Sequence, residues 1–342
     1  MSRARRTPRQ ADIARVAGVS QATVSVVLGG NRTGVRLSER TRLRVLEAAE
    51  RLGYVPDPVA TRLASARNNL LGVYTFTPAF PIDVADSYYP ILAGVEAEAA
   101  ELGQDLIMFT ASSAVPDHTR IRRTRLADGC LFLGRHVPVA AVGDLMASGF
   151  PIVYIGRRTE LGGTIPYVGA DYVSASAEVV TRLVGAGHRR LRYLREPDEA
   201  PSSDDRERGV RTAAADAGAA LTVVRTDGTD LAAADVTTWL EDGVTALVVE
   251  ETDTGAVFHA TWRALREAGV SVPGDVSLAV LGRPPGAPPG PEISGFEVPR
   301  REMGRAAVRL LASLLDPAAA DPSVHRLLTC PPVAGETIAP VS

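Results

Sequence analysis

The sequence predicts an α/β protein in which a small all-α head precedes a larger body built on parallel sheets. From residue 70 onward, apolar β-rich runs alternate with helical patterns, which is typical of parallel sheets with helices on both faces. Residues 10–53 hold helical patterns without strands. Charge divides the chain near the same place, because residues 1–67 carry a net charge of +8 and the remainder a net charge of −11. The head and the body are therefore predicted to be separate regions.

Two short helices, at residues 10–17 and 21–28, form the first predicted unit. Gly18 can end the first helix because glycine tolerates a left-handed conformation, and Ser20 is a good N-cap for the second. The small side chain of Ala14 lets the helices approach closely. This spacing is that of a helix-turn-helix, whose second helix enters the major groove of DNA. A two-helix packing unit in an all-α core would look the same locally.

A third helix is predicted between Ser38, its N-cap, and Gly53. Its predicted apolar face consists of Leu43, Leu46, Ala49 and Leu52. Its exposed side carries Arg40, Arg42 and Arg44. The basic surplus alone fits either a polyanion-binding module or a solvated arm. Together with the helix pair, it favours a DNA-binding head over residues 1–57.

The segment at residues 58–69 is predicted to be a hinge. Pro56 and Pro58 interrupt any continuous helix, and residues 59–64 are too few for a helix that is stable alone. We expect this linker to be disordered when free and helical when docked.

The body at residues 70–342 shows more strands than one small sheet holds comfortably. The predicted strands are 70–76, 105–110, 130–134, 151–156, 190–194, 221–226, 246–250 and 277–281. Helical patterns between them cover 91–101, 173–184, 206–217 and 257–267. Two α/β lobes are predicted, with a cleft at the carboxyl ends of their strands.

The chain resembles the lactose-repressor (LacI/GalR) family of transcriptional regulators over nearly its full length. The resemblance lies in "ADIARVAGVSQATVSVVL", in "ERTRLRVLEAAERLGYVPDPVATRLA" and in the domain that follows. It implies a two-lobed body like that of the periplasmic binding proteins, with lobes of about 70–172 plus 299–330, and 173–298. It also implies a homodimer that binds double-stranded DNA.

The resemblance assigns roles within the head and the hinge. Base-reading candidates are Gln21, Ala22 and Val26, and phosphate candidates are Thr23, Ser25, Asn31, Arg32 and Arg36. Ala60 and Leu63 match the hinge residues that enter the minor groove, where an apolar wedge kinks the duplex. Val26 departs from the family pattern, which often has arginine there, and the loop after the second helix is about three residues longer than is usual in the family.

The resemblance also implies an effector site between the lobes. The matching residues are Ser87, Tyr88, Asp171, Tyr172, Arg206 and Glu250. Thr254-Gly255 and Leu281–Pro284 stand where the family usually has the acids and amides that hold sugar hydroxyls. A sugar, a charged or otherwise different small molecule, and no effector at all therefore remain open.

Nothing in the sequence indicates an enzyme, a cofactor or a metal site. The chain lacks G-x-G-x-x-G, a P-loop, H-E-x-x-H and a G-x-S-x-G elbow. Its five histidines are scattered, and Cys130 and Cys330 lack metal-ligand spacing. We expect no catalysis, no cofactor and no bound metal.

The absence of an eighteen-residue apolar run, and of an apolar segment after the basic N-terminus, predicts a cytoplasmic, nucleoid-associated protein without membrane contact. The predicted function is a sequence-specific regulator, a repressor, whose two heads bind a pseudo-palindromic operator and whose affinity a small molecule modulates. The main alternative is a ligand-independent DNA-binding regulator with a degenerate cleft. A binding protein without DNA contact and an α/β enzyme fused to a DNA-binding head are further alternatives.

Overall fold

The computed structural model describes most of the chain in two compact units, Met1–Asn68 and Asn69–Ser342. The described residues are 8–28, 37–54, 67–76, 88–110, 117–134, 137–252, 254–284, 286, 289–316 and 324–341. The first unit spans the predicted head and all but the last residue of the predicted hinge, and the second begins one residue before the predicted body.

The first unit contains three helices. They are α1 (Gln10–Ala17), α2 (Gln21–Leu28) and α3 (Glu39–Leu52). Among the described residues, no single helix is long and apolar enough to cross a membrane, and only α1 with α2, bent by 107° at their junction, reach that length and composition together.

The second unit contains two parallel sheets. In chain order, the strands are β1 (Leu70–Thr75), β2 (Asp105–Phe109), β3 (Gly129–Leu133), β4 (Ile152–Ile155), β5 (Tyr167–Ala170), β6 (Arg190–Arg195), β7 (Ala220–Arg225), β8 (Ala246–Glu250), β9 (Ser277–Leu281), β10 (Ser294–Phe296), β11 (His325–Leu328) and β12 (Pro332–Val333). The first sheet has the order β11-β5-β4-β3-β1-β2, and the second has the order β12-β10-β9-β8-β6-β7. All pairs are parallel except β10 with β12. The central strands β3, β4, β8 and β9 are buried throughout, as near-continuous apolar runs require.

Helices connect these strands and cover both sheets. They are α4 (Tyr88–Glu101), α5 (Asp117–Ile121), α6 (Val139–Ala147), α7 (Tyr172–Gly185), α8 (Pro201–Asp216), α9 (Ala233–Glu241), α10 (Ala256–Glu267) and α11 (Arg300–Leu315). The chain leaves the first sheet after β5, builds the second sheet, and returns through α11 to place β11 on the first. The final residues cross again and place β12 on the second sheet.

The returning helix α11 is held against α4 by glycine on both sides of the contact. A Cβ atom at Gly94 would lie 2.0 Å from the carbonyl oxygen of Arg301, and one at Gly304 would lie 2.2 Å from that of Ile91. Glu98 is buried beside this contact, where its hydrogen bond from Arg309 lowers its pKa. Because the start of α11 lies at the cleft, this close packing fixes the first lobe's side of the candidate site.

The structure corrects the predicted elements at several points. Four strands were not predicted, and all of them are four residues long or shorter: β5, β10, β11 and β12. In addition, β11 alternates exposed with half-buried positions instead of forming an apolar run. Helix α8 begins at Pro201, five residues before the predicted start at Arg206. Proline is well suited to the first turn of a helix. The polar residues between Pro201 and Arg206 lack an apolar periodicity, so the sequence pattern did not predict that they are helical.

Candidate functional site

The junction between α1 and α2 follows from local chemistry. Gly18 ends α1 in the left-handed conformation, with φ of 63°, and its N–H bonds to the carbonyl oxygen of Ala14. The Ser20 hydroxyl accepts a hydrogen bond from the N–H of Thr23 at 3.1 Å, which caps the start of α2. Arg44 of α3 donates to the carbonyl oxygen of Ala17 and so fastens the end of α1 to the third helix.

The core of the head uses a face of α3 that overlaps only partly with the predicted one, because Ala49 and Leu52 pack there but Leu43 and Leu46 do not. The buried residues of the three helices are Ile13, Ala14, Ala17, Val24, Val45, Ala48 and Ala49. Leu43 and Leu46 are 50% and 41% exposed, so the prediction that they line the packed face was wrong. Both stripes fit a helical period, and packing against α1 and α2 selects the one with smaller side chains, Val45 with Ala48 and Ala49.

Helix α2 presents polar and small side chains outward. Gln21, Ala22 and Ser25 are exposed, whereas Thr23 and Val26 are half-buried. The Thr23 hydroxyl already shares a hydrogen bond of 2.9 Å with Ser20, so it takes part in the cap. The remaining predicted DNA contacts, Asn31, Arg32, Arg36, Ala60 and Leu63, lie outside the described residues, as does Ser87 of the predicted cleft.

The body has a cavity of about 130 Å³ between its two sheets, at the carboxyl ends of β4 and β8. Four predicted cleft residues line it, and they come from both sides: Tyr88, Tyr172, Arg206 and Glu250. Asp171 differs from the prediction. Its carboxylate caps α7 by accepting from the N–H of Ser174 at 3.1 Å, and Asp171 is not among the residues that line the cavity.

Arg206 is buried and bound on all sides by the body. Its Nε donates to the carbonyl oxygen of Leu281 at 2.9 Å, its Nη2 to Glu251 at 3.4 Å, and its guanidinium lies 3.8 Å from the centre of the Tyr172 ring. Burial opposes its charge, but Tyr172, Glu250 and Glu251 outweigh that effect and raise its pKa. The arginine is therefore permanently charged and already satisfied by protein groups.

The neighbouring ionisable groups are shifted mainly by burial. Burial raises the pKa of Glu250, and the nearby Arg206 only partly offsets this. Burial likewise raises the pKa of Tyr172. Both groups are thus biased towards their neutral forms.

Two ion pairs cross the cleft from one sheet's side to the other. Arg157, which follows β4, binds Asp205 of α8 through two nitrogens, one of them at 2.8 Å. Arg300, at the start of α11, donates to Glu251, which follows β8, at 2.6 Å. Prediction did not select Arg157, Glu251 or Arg300, although the position of the first two directly after apolar strands was a usable signal.

The fold and these sites define a class: a helix-turn-helix head joined to a two-lobed body with a cleft between its sheets. Residues 11–57 match the family model "Bacterial regulatory proteins, lacI family", and residues 180–338 match "Periplasmic binding protein-like domain". The chain is thus similar to the LacI family of bacterial regulators in its first part and to periplasmic binding proteins in its second.

Relatives and solved structures match over nearly the whole chain. Catabolite control protein A of Priestia megaterium is 28% identical over 92% of this chain and 95% of its own length. The transcriptional regulator CelR of Thermobifida fusca is 29% identical over 90% and 92%. The lac repressor dimer bound to operator and the anti-inducer ONPF superposes with a TM-score of 0.74 at 21% identity, over 98% of this chain and 100% of that one. A CelR–cellobiose complex superposes with a TM-score of 0.63 at 24% identity, over 96% and 99%.

Proposed function

We propose that this protein is a homodimeric transcriptional repressor that binds a pseudo-palindromic operator and responds to a small molecule in the body cleft. The observation that carries the proposal is the exposed polar edge of α2, on a packed three-helix unit whose sequence matches the lacI-family model. A dimer with two such heads would read two half-sites, and the matching repressor is a dimer on its operator.

Base recognition is assigned to Gln21, Ala22 and Val26 of α2. The Gln21 amide can pair with adenine, whereas Ala22 and Val26 offer apolar contact to a thymine methyl group. Phosphate contacts, which set register but not sequence, are assigned to Thr23, Ser25, Asn31, Arg32 and Arg36. The Thr23 hydroxyl is hydrogen-bonded to Ser20 within the cap. The first turn of α2 would therefore contact the DNA backbone as one rigid unit that includes both residues.

The proposed division of labour places DNA reading in residues 1–57, a hinge in 58–69 and effector binding with dimerisation in 70–342. Ala60 and Leu63 of the hinge are assigned to the minor groove, where Leu63 would act as the wedge.

The effector is proposed to be a sugar or sugar derivative that contacts Tyr88, Tyr172, Arg206 and Glu250. Support comes from the position of the cavity between two lobes and from the cellobiose complex of a protein with the same fold. A ligand that prefers one arrangement of the lobes shifts the body towards it, which is how occupancy would alter operator affinity.

We assign no catalytic role to the chain, since the relatives that it matches are regulators. Its proposed partner, chromosomal DNA, places it in the cytoplasm at the nucleoid.

One observation favours a second candidate, a DNA-binding regulator that needs no ligand. Arg206, the residue expected to clamp the ligand, is already bound by Leu281 and Glu251. In such a regulator, internal contacts would permanently replace the effector.

The test is selection of DNA fragments by the full-length protein, followed by affinity measurements on the enriched site. Gln21→Ala should reduce discrimination against altered sites by about 1–3 kcal/mol and leave the steep salt dependence intact. Gln10→Ala, at the start of α1, is the matched control and should change neither. If no duplex is preferred over bulk competitor DNA, the proposed function is wrong.

A further inference from the structure

The cavity in the body has walls rich in positive charge. Arginines at four positions and glutamates at two line it: Arg157, Arg158, Arg206, Arg300, Glu250 and Glu251. Burial raises the pKa of Glu250, and the nearby charge of Arg206 opposes that shift. Asp205 and Glu160 neutralise Arg157 and Arg158 from outside this lining set. Arginines therefore outnumber carboxylates in the lining by four to two, although each arginine has a carboxylate partner.

Carboxylates and arginines in the cavity differ in their remaining hydrogen-bonding capacity. Both oxygens of Glu251 are engaged, one by Arg300 at 2.6 Å and the other by Arg206 at 3.4 Å. Within the described part of the chain, the guanidinium of Arg300 donates only this one hydrogen bond, although a guanidinium carries five N–H donors. The unused hydrogen-bonding groups are therefore N–H donors. A ligand that complements them must supply acceptor oxygens.

Thr252 provides a second, independent indication of a ligand. It lines the cavity, it is 5% exposed, and its hydroxyl makes no hydrogen bond to any residue that the structure describes. A buried hydroxyl without a partner costs free energy, which a ligand oxygen would recover.

The arginines with donors to spare also connect the two lobes. Arg157 and Arg300 belong to the side of the first sheet, and their carboxylate partners Asp205 and Glu251 belong to the side of the second. An anion that binds the remaining N–H groups of Arg300 is repelled by the Glu251 carboxylate beside it, so the anion and Glu251 compete for the same positive charge. Ligand binding would thus exchange a cross-lobe ion pair for a ligand ion pair.

We propose that the effector is a monosaccharide-sized anion, bearing a carboxylate or a phosphate, that takes Arg300 from Glu251. This proposal rests on the proposed function, because it names the class of effector for the same cleft. The cavity of about 130 Å³ is smaller than a cavity near 150 Å³ that holds benzene, so a monosaccharide anion enters only if the lobes move apart. Loss of the Arg300–Glu251 pair between the lobes would permit that movement.

The experiment uses full-length protein and three probes that share one pyranose ring: glucose, glucuronate for the carboxylate, and glucose 6-phosphate for the phosphate. Calorimetric titration should show that at least one anion binds at least roughly tenfold more tightly than glucose, as a charge-assisted hydrogen bond implies. Comparison of the two anions identifies which acceptor group the site prefers.

Two variants give opposite expected results. Arg300→Gln should weaken the anion at least roughly tenfold and leave glucose unchanged. Glu251→Gln should tighten the anion, because it removes the competitor for Arg300, an effect that general loss of packing would not produce. Arg283→Gln, which breaks the exposed pair with Glu297 outside the cavity, is the control and should have no effect.

The proposal is overturned if glucose binds as well as both anions, if no probe binds, or if Glu251→Gln weakens the anion. Operator affinity of the ligand-free protein is measured in parallel. A selective operator complex with no preference for anions rejects this inference but retains the proposed function, whereas loss of operator preference rejects the function itself.

Discussion

The recognition helix of the head and the cleft of the body use their polar side chains in opposite ways. Gln21 and Ser25 of α2 are exposed, and the hydrogen bonds that stabilise the helix come from its cap at Ser20. In the cleft, Arg206 and Glu251 are buried and bound to other protein groups. In the head, the residues proposed for recognition are separate from those that hold the structure, apart from Thr23, whereas the cleft assigns both roles to the same residues.

This difference has a consequence for regulation. A partner of the head can bind without breaking a contact within the head, so its affinity depends on complementarity and charge. A ligand of the cleft must replace existing contacts, so its binding changes the contacts between the lobes. Coupling a binding event to a conformational change requires such differential contacts.

The largest expected effect tests whether the cleft arginine is structural. Arg206→Met leaves Glu250 and Glu251 buried beside an apolar side chain, and we expect the body to lose about 3–5 kcal/mol of unfolding free energy at neutral pH. Urea unfolding followed by Trp239 and Trp262, the two tryptophans of the chain, measures it.

The pH dependence of that loss has a defined sign. Without Arg206, the pKa of Glu250 rises further above its unfolded value, so the folded variant binds more protons than the unfolded chain. The loss should therefore shrink as the pH falls from 7 towards 5. Arg208→Met, on the exposed side of the same helix, should cost at most about 1 kcal/mol. If both variants lost the same unfolding free energy, Arg206 would be no more important to stability than an arginine on the exposed surface, and the contrast drawn here would be wrong.

A smaller effect is expected from the caps that organise the head. Ser38→Ala removes the hydroxyl that accepts from the N–H of Thr41 at 3.2 Å, and should destabilise α3 by about 1 kcal/mol. Hydrogen exchange of the α3 amides reports this, while tryptophan fluorescence of the body should not change. Ser38→Asp keeps a capping oxygen and should retain most of the protection. Destabilisation of the body by Ser38→Ala would contradict the assignment of this cap to the head alone.

The smallest effect concerns a buried histidine of the body. His188 bonds to the Thr245 hydroxyl at 2.9 Å and to the carbonyl oxygen of Ala339 at 3.0 Å. The carbonyl accepts, so Nε2 carries the proton and Nδ1 accepts from Thr245. Burial lowers the pKa of His188, so the unfolded chain binds a proton that the folded state excludes.

Stability attributable to His188 should therefore be present above its unfolded pKa and be lost as the pH falls below that value. Urea unfolding of the body between pH 7 and pH 5 measures the slope, and His188→Gln should flatten it. A slope that is unchanged in His188→Gln would assign the pH response to other groups.

Much of the head was predictable because its signals are local. Gly18, Ser20, Ser38 and Gly53 mark helix ends by the conformations and hydrogen bonds that their own residue types favour. The packed face of α3 was not predictable in the same way. Leu46 and Val45 both fit a helical stripe, and only contact with α1 and α2 decided between them.

In the body, the parallel sheets were predictable from the apolar runs, but the short strands and the contents of the cleft were not. Residue type and order along the chain thus determined the helix-turn-helix, the alternation of strands with helices and the charge division between head and body. Only the tertiary structure decided that Arg300 meets Glu251 and that Arg206 meets Leu281, because strand order and the return of α11 bring together residues 49 and 75 positions apart. Local periodicity extends over a few turns, so it carries no information about such pairs.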